Sequence, residues 1–436
     1  MIQAFLTFVR RTTTLEVAWL ALWLGTFSFA QRTASESLYG GFDATHFQRY
    51  MFDAVALALT LLNAARLRAP RWDPITLFLI YTVVGLLSTL WTVSLLPTLG
   101  KSGELFIGVL IVWITMARRE PLRRLRRLID WSALFLGFLL VLAFLGFVLF
   151  TEQFSIPSPG VLSRQMDTPF IASNGIANGA AALGLLCLAR FLTGPRAGGR
   201  ARIMRSGYLW LTLFFAILPV LAQGRTGQSV FLAGSMLLLL RRRPGVALML
   251  VIPPIILIVT AFMGEISSFF IRGQQEAQLL GLSGRLILWQ WAWNTFLDDP
   301  IFGAGFGVGS RAMFAGGTGG FGALISSVHN GFFEVLLSTG LVGLVFWLPS
   351  FLWGVGIAVA AYLRGEHLDI AILFTYLIAT TIMSIGVGGW MGPGPAFFLA
   401  AVSYLHLARR RARAPVRRHP LGRPPPRSSP SLARGR

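Results

Sequence analysis

Three short stretches of this chain place chemically capable side chains inside otherwise apolar surroundings. They are AQGRTGQS around Arg225, LSGRLILWQWAWNTFLDDP with Arg285 near its start, and SSVHNGFFEVLLSTGLVG with His329 and Asn330. Arginine offers a planar fork that donates two parallel hydrogen bonds and keeps its charge, so it suits an anionic partner. A charge held near membrane depth is costly and by default marks a functional site. Among five histidines, His329 alone stands just where the chain re-enters an apolar run after a long outer segment. A lone histidine is usually structural, but one sharing a face with two unexplained arginines points to catalysis or substrate binding.

The elements that must position these residues are read from composition. Of 436 residues, 55% are hydrophobic and 13% charged, with mean hydropathy +0.67. A soluble domain has about a quarter charged residues, so a bilayer is the expected main solvent. Apolar runs long enough to cross about 30 Å of hydrocarbon recur near 15–30, 51–66, 75–97, 102–117, 128–150, 173–193, 208–223, 227–240, 245–264, 331–362, 368–387 and 391–407. The first has no small-residue cleavage site after Ala30 and reads as a span. The fold class expected is all-α, polytopic, with about twelve membrane helices. One transmembrane domain covers 1–407, and 408–436, rich in Arg, Pro and Ser, is a basic tail without ordered structure.

A net charge of +21 would suggest nucleic acid in a soluble protein, but here it follows topology. Counting sides from a cytoplasmic start puts Arg10, Arg11, the RREPLRRLRR run at 118–127, Arg196 to Arg205, Arg241 to Arg243, Arg364 and the tail on the inside. That agrees with the positive-inside rule and places both termini in the cytoplasm. Arg32, Arg49, Lys101, Arg164, Arg225, Arg272, Arg285 and Arg311 are left outside. Lys101 and Glu104 are spaced for an i, i+3 ion pair. For Arg225, snorkelling to outer head groups or pairing with a carboxylate stays open.

The long outer segment 265–328 exceeds ordinary connection lengths. Its LSGRLILWQWAWNTFLDDP part has apolar residues at helical spacing, with Ser283 able to cap and Pro300 ending the run, which predicts an amphipathic helix. Asp298 and Asp299 read as an ordinary helix stop before proline, without the His or Glu cluster of a metal site. The single Cys187 excludes an intrachain disulfide and a cysteine-based metal site.

In order along the chain stand GRTG at 224–227, SGR at 283–285, GAGFGVG at 303–309, HN at 329–330 and GLVG at 340–343. This pattern resembles the O-antigen ligase-like, or Wzy-C, superfamily of bacterial surface-polysaccharide ligases and polymerases, over roughly 164–350. RQMDTPFIASNGIANGA resembles a further family element, placing Arg164, Asn174 and Asn178 near the same vestibule. Many members have Ser where Gly224 stands, and the acidic pair before Pro300 also departs from the pattern.

The resemblance implies a GT-C-like membrane glycosyltransferase of the bacterial inner membrane, with a periplasmic catalytic loop. It implies transfer of a glycan from an undecaprenyl or other polyprenyl pyrophosphate carrier to a hydroxyl of a glycan, lipid or protein acceptor. The leaving pyrophosphate must be neutralised by a metal or by fixed cations, and Arg225 and Arg285 suit that task without a metal or cofactor. His329 is then the catalytic candidate, as base or as a binding group, with Arg225, Arg285, Arg164, Asn330 and Asn174 as substrate-binding candidates. Direct displacement would invert the anomeric carbon, and no paired carboxylates of the retaining kind are seen. O-antigen ligation and polysaccharide polymerisation are not separated by these motifs. From the span count alone, the rival outside this class is a secondary transporter or flippase; such proteins usually place their charges at mid-membrane and show two related halves.

Overall fold

A computed structural model describes residues 12–26, 44–64, 72–158, 163–194, 199–242, 285–315, 328–373 and 394–413. They are almost wholly helical: α1 (Thr14–Thr26), α2 (Ala44–Leu61), α3 (Pro74–Leu87), α4 (Leu95–Ala117), α5 (Pro121–Leu149), α6 (Ser173–Thr193), α7 (Gly199–Leu221), α8 (Arg225–Arg242), α9 (Arg285–Asp298), α10 (Gly309–Ala315), α11 (Gly331–Arg364) and α12 (Gly394–Arg413). One small antiparallel pair, β1 (Ser155–Pro157) with β2 (Arg164–Met166), lies between α5 and α6.

Five helices among the described residues are long and apolar enough to cross a membrane: Leu95–Ala117, Pro121–Leu149, Ser173–Thr193, Arg202–Leu221 and Gly331–Arg364. Thr14–Gly25 and Pro74–Leu90 are apolar but shorter. The expected span 245–264, most of 368–387 and residues 414–436 of the tail lie outside the described residues, while 408–413, expected to belong to an unstructured tail, continue α12 as helix. The run expected as one span over 75–97 divides. Asp73 caps α3 through Oδ1, which accepts from Thr76 N at 3.0 Å, and the helix tightens into a 3-10 turn at Ser88–Leu90. A new helix then starts after Ser94, with Pro97 in its first turn, where a missing N–H costs nothing.

α6 lies at the centre of one half of the bundle, its small residues allowing neighbours close. A side chain added at Gly179 would press Leu136 at 3.2 Å, and one at Gly184 would meet Phe231 at 2.6 Å. Aromatic packing fills the other half, where Trp347 stacks on Phe351 at 5.0 Å and Phe332 meets Trp347 edge-on at 5.1 Å.

One end of the bundle is tied by ion pairs. Arg126 bonds Asp369, Arg127 reaches Glu16 at 2.8 Å, and Arg190 reaches Asp130 at 2.6 Å. Topology alone was expected to account for the arginines of the 118–127 run, yet Arg126 and Arg127 also hold helices together. Arg205 donates to the Phe191 carbonyl and Arg241 to the Leu363 carbonyl, both at 3.0 Å. The ends of α6 and α11 and the start of α7 therefore gather here. The start of α8, at Arg225, and the start of α11, beside His329, lie at the opposite end.

Candidate active site

The turn between α7 and α8 brings Arg225 into place. Gln223 takes a left-handed conformation, φ 48°, and its side chain bridges outward. Its Oε1 accepts from Ser158 Oγ at 2.8 Å, and its Nε2 donates to the Arg164 carbonyl at 3.4 Å. Arg164 in turn donates from Nε to Ser155 Oγ at 2.7 Å, across the β1–β2 pair. Asp167, just after β2, accepts from Ser173 N at 2.6 Å and so fixes the first turn of α6, where Asn174 is exposed and Asn178 buried. Gly224 and Gly227 lie against Ala177 of α6, so closely that a side chain at Gly227 would meet the Ala177 carbonyl at 2.6 Å. A side chain at Gly224 would strike the Ala177 methyl, which is the local reason for glycine at that position. Arg225 is half-buried at the head of α8.

His329 belongs to a second construction. Asn330 caps α11, its Oδ1 accepting from Phe332 N at 2.9 Å, which leaves the amide nitrogen as the group able to bind a substrate. The His329 backbone sits at φ 52°, sparsely populated for a residue with a side chain, and the ring is half-buried. Val328, just before it, is held on both sides: its carbonyl accepts from Trp289 Nε1 of α9 at 3.0 Å, and its N–H donates to Glu334 Oε1 of α11 at 3.3 Å. Arg285 begins α9, one turn before Trp289. A helix over the stretch LSGRLILWQWAWNTFLDDP is therefore present and is fastened to the histidine turn, but Ile287, Trp293 and Leu297 stand on its exposed side, so its two faces are not divided into apolar and polar as expected. Ser283, expected as its cap, lies outside the described residues.

The glycine run after α9 serves a break in α11. At Gly340 (φ 59°, ψ −157°) the helix is interrupted, and the segment after α9 supplies the missing hydrogen bonds. Leu341 N donates to Pro300 O at 2.9 Å and Val342 N to Ile301 O at 3.2 Å. Ala304 N donates to Leu337 O at 2.9 Å and Gly305 N to Ser338 O at 3.0 Å. Gly303, Gly305 and Gly307 all have positive φ, and a side chain at Gly303 would meet the Leu337 carbonyl at 2.7 Å. On its other side the loop is locked by Phe306 N donating to Ser88 Oγ at 2.9 Å and Val93 N donating to Ala304 O at 3.2 Å. Beside this joint a cleft of about 450 Å³ opens, lined by Trp91, Phe296, Asp298, Asp299, Met313 and further residues.

Beneath the joint lies a buried group of charges that sequence reasoning only half identified. Glu334, 2% exposed, accepts from Ser310 Oγ at 2.9 Å through Oε2 and faces Lys101 and Arg311 electrostatically. Burial brings the Arg311 guanidinium down to about 10, with Glu334 opposing the fall; it keeps its charge at neutral pH. The ion pair expected between Lys101 and Glu104 is not formed: Glu104 pairs with Arg49 of α2. Lys101 instead lays its stem against Gly307, and its Nζ has no hydrogen-bond partner among the described residues. The i, i+3 spacing leaves the two side chains on one face of α4, but Arg49 from α2 takes the carboxylate. Arg49 and Arg311 were expected only as outer cations, and Lys101 as one of them paired with Glu104. Glu334 went unnoticed, although a carboxylate one turn inside an apolar run is itself a signal.

The ordered motifs, the cap at Asn330 and the joint at Gly340 fall within one stretch that can be compared with known families. Residues 208–348 match the Wzy_C family model, described as O-antigen ligase. The matched stretch takes in Arg225, Arg285, the glycine loop, His329, Asn330 and the Gly340 break, while Arg164, Asn174 and Asn178 precede it. No curated protein matches the chain. That stretch, about a third of the chain, is thus similar to O-antigen ligases, and the described residues around it include five helices long and apolar enough to cross a membrane.

Proposed function

We propose that this protein transfers a glycan from a polyprenyl pyrophosphate carrier to an acceptor hydroxyl at the outer face of a bacterial inner membrane, without a metal and with inversion. The observation that carries this reading is the Trp289 to Val328 hydrogen bond. It fastens the helix that Arg285 begins to the turn that presents His329. In the reaction His329 takes the proton of the acceptor hydroxyl as that oxygen attacks the anomeric carbon. The bond from that carbon to the pyrophosphate oxygen breaks, and the bonding pair leaves with the carrier. Arg285 and Arg225 offset the charge that develops on the leaving oxygens, as fixed donors do best where water is scarce. Arg164, Asn174 and the Asn330 amide bind pyrophosphate or glycan around them.

In this reading the chain has about twelve spans in a GT-C-like arrangement with cytoplasmic termini, and these groups work on the periplasmic side. The ion-paired end of the bundle faces the cytoplasm, in keeping with the density of arginines there. The test is reconstitution with a polyprenyl pyrophosphate-linked oligosaccharide and an acceptor in the presence of a chelator. Free carrier pyrophosphate and a lengthened acceptor are expected. Uptake or exchange of a solute with no covalent product would support transport instead.

A further inference from the structure

His329 holds a left-handed backbone conformation that its own side chain disfavours, so its neighbours must over-determine it. Two side chains from different helices do so. The carbonyl of Val328 belongs to the peptide that leads into His329, and Trp289 of α9 donates to it at 3.0 Å. The N–H of Val328 belongs to the peptide before, and Glu334 accepts it at 3.3 Å. Both peptide planes flanking Val328 are therefore fixed, from two different helices, and Val328 itself is fully buried between them. Glu334 is anchored in turn: Ser310 of α10 donates to its second oxygen at 2.9 Å, and Lys101 and Arg311 balance its charge. Trp289 is steadied by Phe333, ring centres 6.2 Å apart.

We propose that Trp289 and Glu334 are positioning residues, a two-sided clamp on Val328 that sets where the His329 imidazole stands relative to α9. This rests on the reading of His329 as the group that acts on the acceptor. Neither residue needs to touch substrate. Their effect is on the placement of a reacting group, where a shift of about 1 Å costs on the order of a hundredfold in rate.

The test uses the full chain in lipid nanodiscs with a polyprenyl pyrophosphate-linked oligosaccharide and saturating acceptor. Trp289→Phe keeps the ring and removes one N–H, so it is the variant least apt to disturb folding. It is expected to lower kcat about tenfold or more while KM for the donor stays within about twofold. Glu334→Ala should do the same. Glu334→Gln, which still offers an oxygen to the Val328 N–H, should recover much of the loss. Trp293→Phe, an exposed tryptophan on the same helix, serves as control and should match wild type. If His329→Ala is inactive while Trp289→Phe and Glu334→Ala turn over at the wild-type rate, the clamp is refuted and the reading of His329 stands. An effect of the two variants wholly on KM, or a Glu334→Gln variant as impaired as Glu334→Ala, would likewise overturn it. If His329→Ala works at the wild-type rate, both ideas fall together.

Discussion

At the scale of single residues, side chains of the same type have different tasks. Arg126, Arg127 and Arg190 are committed to carboxylates, and Arg164 spends its Nε on Ser155. Arg225 and Arg285 are the ones assigned to the leaving pyrophosphate. If bidentate donation is what matters, lysine should not replace them, because a point charge on a flexible stem cannot reproduce the fork. Arg285→Lys and Arg225→Lys are each expected to lower transfer at least tenfold, read as acceptor lengthening at fixed donor concentration. Equal rates for Lys and Arg would show that charge alone suffices. The candidate residues were legible in the sequence because each is a polar exception in apolar surroundings. Partnerships were not: Glu104 lies one turn from Lys101 in sequence, but Arg49, 55 residues away, holds it.

Individual elements show why the glycine motifs stand where they do. GAGFGVG and GLVG are far apart in the chain, and nothing in their spacing reveals that one completes the other's broken hydrogen bonds. The structure makes them a single joint. An added methyl at Gly340 would strike the Ile301 backbone in a conformation only glycine enters freely. Gly340→Ala should therefore destabilise the protein by roughly 1–3 kcal/mol, seen as a lower melting temperature in detergent, whereas Gly356→Ala, in open space on the same helix, should not. The helix α9 was legible from its period and from Pro300, but not which of its apolar residues would be buried. The division of the 75–97 run was not, because leucine and valine run through it unbroken and only Asp73, Ser94 and Pro97 mark the true boundaries.

For the molecule as a whole, the two ends of the bundle do different work. The end bearing Asp130, Asp369 and Glu16 is an ion-paired base, and the end bearing Arg225 and His329 carries the proposed chemistry. Asp369 is shared by Arg126 and Arg190, which both also pair with Asp130, so its loss weakens a network without leaving either arginine unpaired. Asp369→Asn should accordingly lower thermal stability yet leave kcat at permissive temperature near wild type. A matching fall in kcat would mean the two ends are coupled. The hydropathy pattern already announced a helical membrane protein, since composition at this scale averages over every local exception. Which helices touch could not be read from it, because apolar faces toward lipid and toward protein are built from the same residues.

The central claim is that His329 takes part in glycan transfer. Its most direct test is single-turnover transfer from a polyprenyl pyrophosphate-linked oligosaccharide by reconstituted wild type and His329→Ala, with folding of both verified by their melting temperatures. A fall of about 10²–10⁴-fold, with donor still bound, is the result expected for a positioned base. Transfer by His329→Ala at the wild-type rate would contradict the account.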